Sequence, residues 1–309
     1  MATQGTYKPG LEGVIAAETE VSYLDVEREE IIIKGYNLIE LAEKKHYLDV
    51  VGLLLEGQLP DENRLFEIED ILKQEYQLPE QLLELFRLLP QSTHPMDALR
   101  TGISALSGFD ANLDDRTKEG NRDKAFKLLA KVPNIVANSY HILNGKDPIA
   151  PKQELSFSTN FLYMMTGCDY SDLESAIFDQ SLVAYSEHEM PNSTFTARVI
   201  ASTYSDIYGA LTGAVASLKG HLHGGANEAV MYMLLEADTI DGFRRLIYEK
   251  LKNKERIMGF GHRVYMKKMD PRASLMKKAL KALSDEKQDY KLYDMCEAGE
   301  QVMKDEKGI

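Results

Sequence analysis

Residues 193–228 read STFTARVIASTYSDIYGALTGAVASLKGHLHGGANE. Two stretches within them, Ser193–Thr203 and Ile207–Lys219, are rich in Ala, Ser, Thr and Gly. Small side chains let helix backbones approach closely, so both are expected as buried central helices. The sequence then breaks at Gly220 and at the Gly224-Gly225 pair before an apolar run, Val230–Leu235, that reads as a further helix. Working outward, amphipathic segments closed by Gly, Pro or Asn recur at Tyr47–Gly57, Asp61–Tyr76, Pro79–Leu89, Pro95–Leu106, Asn121–Asn144, Gln153–Thr166 and Ser171–Ser186. Downstream, more polar helices are expected at Ile240–Leu251, Ala273–Leu283 and Tyr293–Asp305. Only the N-terminal stretches Gly10–Thr19, Val21–Asp25 and Glu30–Gly35 carry β-branched runs broken by turns. The fold is therefore expected to be mainly α with a small N-terminal β element. The break near Lys219–Gly224 divides it into a large helical domain, 1–220, and a small one, 221–309.

The chain has 309 residues, 44% hydrophobic and 28% charged, which is globular composition. At about 150 residues per domain it accommodates one large domain or two moderate ones. The net charge of −13 argues against nucleic acid or an anionic membrane as partner. An anionic substrate would need a local cationic pocket. Cys168 and Cys296 are the only cysteines, too few for a cystine framework or zinc finger. The N-terminus shows no basic region followed by an apolar core, and no apolar run approaches the roughly 18 residues of a membrane span. A cytoplasmic protein is expected.

Four of the seven histidines occupy unusual surroundings. His188, in Glu187-His188-Glu189-Met190-Pro191, sits just ahead of a helix that Asn192 or Ser193 would cap. Helix N-termini favour anions. His223 precedes two glycines that would let a ligand or another backbone come close. A position ahead of a helix also disfavours imidazolium, keeping the ring neutral. The His221-x-His223 pair admits a metal reading, but further ligands are not evident. The third context is Gly259-Phe260-Gly261-His262-Arg263-Val264-Tyr265, followed by Asp270-Pro271-Arg272. Val264 stands where a dinucleotide fingerprint needs its third Gly. Asp270 reads as an N-cap, Pro271 as the first helical residue and Arg272 as a first-turn residue. An Arg there opposes the helix dipole, and an anionic ligand is one group that would favour it. Arg263, Lys267 and Lys268 read equally as a phosphate contact or a solvated basic loop. Together these features suggest acid–base chemistry on a dicarboxylate-type substrate.

The same stretches resemble the citrate synthase family, most closely its 2-methylcitrate synthase branch. The resemblance rests on Glu187-His188-Glu189 with Asn192–Arg198, Leu222–Asn227, Gly259–Tyr265 and Asp270–Arg272, supported by Gly10–Val14, Lys34–Tyr36, Leu53–Pro60 and His94–Met96. Residues 161–167 and 186–198 carry the likeness to the methylcitrate branch. The resemblance implies a citrate synthase-like two-domain helical fold, working as a homodimer through 193–203 and 207–219. It implies condensation of an acyl-CoA, propionyl-CoA or acetyl-CoA, with oxaloacetate, then thioester hydrolysis, with no cofactor or metal. His223 would stabilise the enolate and His262 would protonate the oxaloacetate ketone. His188 and Arg272 would hold the oxaloacetate carboxylates, while Arg256, Ile257, Met258, Gly259 and Phe260 would line the CoA site.

The resemblance further implies an Asp that removes the α-proton, together with substrate-binding arginines, in a segment following Tyr293–Asp305. The sequence reaches Ile309 where that segment would begin, about 60 residues short of ordinary family length. A longer protein is the expectation, with a shortened, non-catalytic dimer that binds oxaloacetate or CoA as the alternative. A metal-dependent hydrolase built on His221, His223 and His262 is the third reading.

Overall fold

The computed structural model describes residues 13–261, 264–265 and 268–308. Expectations resting on Gly10, Leu11, Glu12, His262, Arg263, Met266 or Lys267 lie outside the described residues. Three short antiparallel strands open the chain, β1 (Ser22–Asp25), β2 (Glu30–Ile33) and β3 (Tyr36–Asn37), in that spatial order. Ser22 is paired with Ile33, and Ile33 in turn with Tyr36. Fourteen α-helices follow among the described residues. The first seven are α1 (Leu38–Lys44), α2 (Tyr47–Glu56), α3 (Glu62–Glu75), α4 (Glu80–Leu88), α5 (Pro95–Leu106), α6 (Lys118–Leu143) and α7 (Phe157–Thr166). The remainder are α8 (Asp172–Ala184), α9 (Asn192–Ala201), α10 (Ile207–Leu218), α11 (Gly225–Ala237), α12 (Ile240–Asn253), α13 (Pro271–Lys287) and α14 (Lys291–Lys307). The mainly α expectation with an N-terminal β element therefore holds, although Gly13–Thr19 forms no strand.

Four apolar clusters hold the helices together. A sheet this small is not stable alone, and Ile31 and Ile33 of β2 are fully buried against α1, α2, α8 and Leu275 of α13. A second cluster joins α4, α5, α6 and α10 through Phe86, Leu99, Ile103, Ile135 and Val215. A third packs α2, α3, α6 and α7. The fourth unites α11, α12 and α14 through Met233, Phe243, Ile247, Met295 and Val302, with Ile257 from the loop after α12. Within 221–309, α13 thus packs its Leu275 face on the first cluster.

Gly102 shows how tightly α5 is seated. A Cβ there would stand 2.8 Å from Phe86 Cζ and 2.9 Å from Ile135 Cγ2. Both neighbours are fully buried and have nowhere to retreat. Gly102→Ala gains about 1 kcal/mol of helix propensity, but overpacking costs about 1–3 kcal/mol. A net loss is expected, read by calorimetry as a melting temperature lower by about 2–4 °C; an unchanged value would show that the wall yields.

One expectation fails. Helices α9 and α10 do approach closely: a Cβ on Gly213 would lie 2.1 Å from Ile200 Cδ1. Yet α9 contains no buried residue, and Val199 is half exposed. Small residues serve the contact between these two helices, but among the described residues nothing buries the outer side of α9. The caps also differ in detail. The N-cap of α9 is Pro191, without a side-chain hydrogen bond, rather than Asn192 or Ser193. Helix α6 begins before Asn121 because Thr117 caps it, and α7 begins after Gln153 because Ser156 does.

Candidate active site

The first cluster carries one half of the site. Helix α8 leads into the Glu187-His188-Glu189 turn, which the β element holds from outside. Ser22 Oγ donates to Glu187 Oε1 at 2.9 Å and accepts from the Glu189 amide at 2.9 Å. Glu189 sits at φ 64, a left-handed conformation costly for a side chain other than Gly or Asn. Burial pushes the Glu187 carboxyl up, against the opposing effect of the Ser22 hydroxyl. His188 Nε2 lies 2.8 Å from the Tyr265 hydroxyl, with the rings edge-on at 5.6 Å. Burial, with help from the Asp270 charge, pushes the Tyr265 phenol up to about 12, so it stays protonated at neutral pH.

Asp270 caps α13 by accepting from the Arg272 amide at 3.0 Å, with Pro271 at the first helical position, as the sequence implied. The same carboxylate accepts from Arg272 Nε at 3.0 Å and Nη2 at 2.6 Å. This fork answers why an Arg is tolerated in a first turn: the opposing charge is Asp270. Burial pulls the Asp270 carboxyl up, but the Arg272 guanidinium outweighs it and holds the carboxyl below the usual range; His188 adds to the lowering. Arg272 is correspondingly pushed up, its pairing with Asp270 overcoming burial. The fork uses Nε and Nη2, which leaves Nη1 able to serve another acceptor.

His223 stands on the loop between α10 and α11. Its Nε2 lies 2.9 Å from Ser193 Oγ and accepts from the Ser193 amide at 3.4 Å. A backbone N–H can only donate, so Nε2 is bare and the neutral ring carries its proton on Nδ1. Burial lowers the His223 pKa below the ordinary 6.5. The neutral ring therefore persists into mildly acidic solution, and the folded state loses stability as pH falls below the unfolded value, because the unfolded ring takes up the proton first. An NMR titration of His223 should give a midpoint below 6.5; one above it would mean that burial does not govern the ring. The paired glycines after His223 admit a backbone: Cβ atoms on Gly224 and Gly225 would meet Leu218 O at 2.7 Å and Lys219 O at 3.0 Å.

Residues 256–260 form a loop after α12. The Ile257 side chain is buried in the fourth cluster, Met258 and Phe260 pack on its edge, and Arg256 and Gly259 are exposed. His262 lies outside the described residues. His221 is exposed, and among the described residues no three His, Cys, Asp or Glu side chains come together as a metal site. No helix of the described chain is long and apolar enough to cross a membrane. Sequence reasoning missed Ser22, Ser193 and Tyr265 as partners of the site and read Asp270 only as a cap. Ser193 had a visible signal, a polar residue at a helix start, but that signal points to a cap accepting from its own helix rather than to a partner of the His223 ring.

The small sheet, the helical body and the two histidines, each on a loop ahead of a helix, stand in a chain with well-characterised relatives. The family model "Citrate synthase, C-terminal domain" matches residues 10–309, and the chain belongs to the citrate synthase family. It is 61% identical over 309 residues to citrate synthase of Heyndrickxia coagulans, covering all of this chain and 83% of that protein. It is 62% identical to citrate/2-methylcitrate synthase of Bacillus subtilis strain 168, covering 98% of this chain and 82% of the relative. Among solved structures, the ternary complex of carboxymethyl coenzyme A and oxaloacetate with citrate synthase from Thermoplasma acidophilum matches with a TM-score of 0.88 at 28% identity, covering 96% and 78% of the two chains. The protein is thus an enzyme of the citrate synthase type, an acyltransferase whose reaction forms a C–C bond.

Proposed function

We propose that the protein condenses propionyl-CoA with oxaloacetate and water to give 2-methylcitrate and free CoA, and that it also accepts acetyl-CoA to give citrate. The observation that carries this reading is His223, a neutral imidazole fixed by Ser193 with Nδ1–H as its donor. Such a donor stabilises the enolate oxygen that develops when the acyl-CoA loses an α-proton, and a single donor of this kind is worth about 3–4 kcal/mol. His188 and Arg272 bind the oxaloacetate carboxylates, Arg272 through Nη1, the amino group that its fork to Asp270 leaves available. His262 protonates the ketone oxygen as the new bond forms. Residues 256–260 border the CoA site, chiefly through Arg256 and backbone, since Ile257 faces the core. By family resemblance the α-proton goes to an Asp in a segment following α14, and no residue of this chain is assigned to that step.

The reading includes a small domain, 221–309, closing on a large one, 1–220. It includes a cytoplasmic homodimer in which a second copy covers the outer side of α9 and the turn after it, where Val199 and Tyr204 are exposed. Sedimentation at micromolar concentration should show a dimer; a monomer would remove that part.

A coupled thiol assay tests the reaction. CoA release is expected with both acyl donors, and a higher kcat/KM for propionyl-CoA. The two donors differ by one methylene, worth about 1–3 kcal/mol, or 10–200-fold, in an apolar pocket. A preference for acetyl-CoA would make it a citrate synthase proper, the reading supported by the Heyndrickxia coagulans relative. Oxaloacetate binding without CoA release would support a non-catalytic binding protein.

A further inference from the structure

The loop from Lys219 to Gly224 is rich in glycine, yet it must hold the His223 ring to within a fraction of an ångström. Its internal bonds are few: the His223 amide donates to Gly220 O at 2.9 Å and the Gly225 amide to the same oxygen at 3.2 Å. On either side of His223 the chain is tied to one element, the first turn of α5. Before it, Lys219 Nζ donates to Asp97 Oδ2 at 2.6 Å. After it, in the first turn of α11, Glu228 Oε1 lies 3.5 Å from His94 Nε2.

That first turn is itself well fixed. His94 is the N-cap of α5 and its Nδ1 accepts from the Met96 amide at 3.1 Å. Nδ1 is therefore bare, and the neutral ring carries its proton on Nε2, the atom facing Glu228. Tyr232, one turn further along α11, donates to the same Glu228 oxygen at 3.3 Å. Pro95 occupies the first helical position, and Leu99 and Ile103 anchor α5 in the second cluster beside Val215 of α10. Helix α11 is anchored instead in the fourth cluster, through Met233 and Leu234. Lys219–Asp97 thus ties the loop within one core, while Glu228–His94 bridges two cores.

We propose that His94 and Asp97 are positioning residues that clamp the His223 loop at both ends and so set the place of the imidazole when α11 moves relative to α5. This rests on the reading of His223 as the enolate-stabilising group. Neither residue touches a reacting atom in this account; each acts through Lys219 or Glu228.

The test uses Lys219→Met and Glu228→Met, which remove one tie each while nearly preserving shape, and Lys219→Arg, which restores the first. Amide hydrogen exchange at 220–225 should rise about tenfold in the two breaking variants and return in Lys219→Arg. The melting temperature should stay within a few degrees, since both ties are partly exposed. The kcat for CoA release should fall by about tenfold to a hundredfold, as a displaced catalytic group implies, with oxaloacetate KM unchanged. In a His223→Ala background the same substitutions should cost nothing further. Unchanged loop exchange overturns the clamp. Faster exchange with unaltered turnover, or a loss that adds fully to that of His223→Ala, also overturns it. A harmless His223→Ala would instead overturn the reading of His223, leaving the exchange result to judge the clamp alone.

Discussion

His223→Ala is expected to lower kcat for CoA release by about 10²–10³-fold, the usual cost of one preorganised donor to a developing oxyanion. The lost free energy belongs to the transition state, because the acyl carbonyl carries little charge before its α-proton leaves. Oxaloacetate KM should therefore change little, given that His188 and Arg272 are assigned to its carboxylates. Stability should fall by only about 1 kcal/mol, the net worth of the hydrogen bond between Ser193 and the ring. His223→Gln, which retains an N–H donor but not the ring, should recover part of the rate. If the alanine variant turned over within threefold of the parent, the assignment of His223 would fail. If KM for oxaloacetate rose instead, the residue would be a binding group.

Arg272→Met should have the second large effect, and it should act on two quantities at once. The first is oxaloacetate: loss of a desolvated cation facing a carboxylate typically costs about 2–5 kcal/mol, so KM should rise at least thirtyfold. The second is the fold. Asp270 would be left with its carboxylate largely enclosed and its bidentate partner gone. Breaking a buried pair costs about 3–5 kcal/mol, and partial exposure here brings that to about 2–3 kcal/mol. In the parent, the Asp270 carboxyl is held below its ordinary value of 3.8, so its contribution to stability is present above that pH and fades only as pH falls through the lowered value. Without the guanidinium, burial is opposed only by the residue-272 amide and His188, so the carboxyl rises and the stability deficit of the variant should be largest near neutral pH and shrink as pH falls and Asp270 takes up its proton. Arg272→Lys should retain some stability but not the affinity, because one ammonium cannot hold Asp270 and reach a second carboxylate as the fork and Nη1 together can. Unchanged oxaloacetate KM in both variants would remove Arg272 from the substrate site.

Much of the site could be read from residue order because it is built from local devices. Asp270-Pro271 marks a helix start by hydrogen bonding and a fixed φ, and the structure places both as expected. His223 before Gly224-Gly225 marks a backbone crowding that only glycine permits, and the crowding is there. What stayed hidden was held by contacts between distant segments. Nothing in the text of α9 says that Ser193 serves the His223 ring rather than its own helix end. The reading of α9 as buried failed for a similar reason: small residues report that something comes close, not how many sides are covered. Tyr265 could not be paired with His188 by spacing, because 77 positions separate them. The helical architecture was more accessible, since each amphipathic segment carries its own period and its own stop.

The Ser22 contact has a consequence for how the molecule comes into being. It joins residues 165 positions apart, so the turn bearing His188 receives its support only after more than half the chain has been made and folded back on its start. Loop closure of that span adds only logarithmically to the entropic cost, but contacts between distant segments slow folding. During synthesis the β element waits, with Ile31 and Ile33 lacking the cover of α8 and α13. The half of the site that bears His188 and Arg272 is therefore expected among the last regions to mature. Oxaloacetate that engages it would favour the completed fold over partly assembled forms.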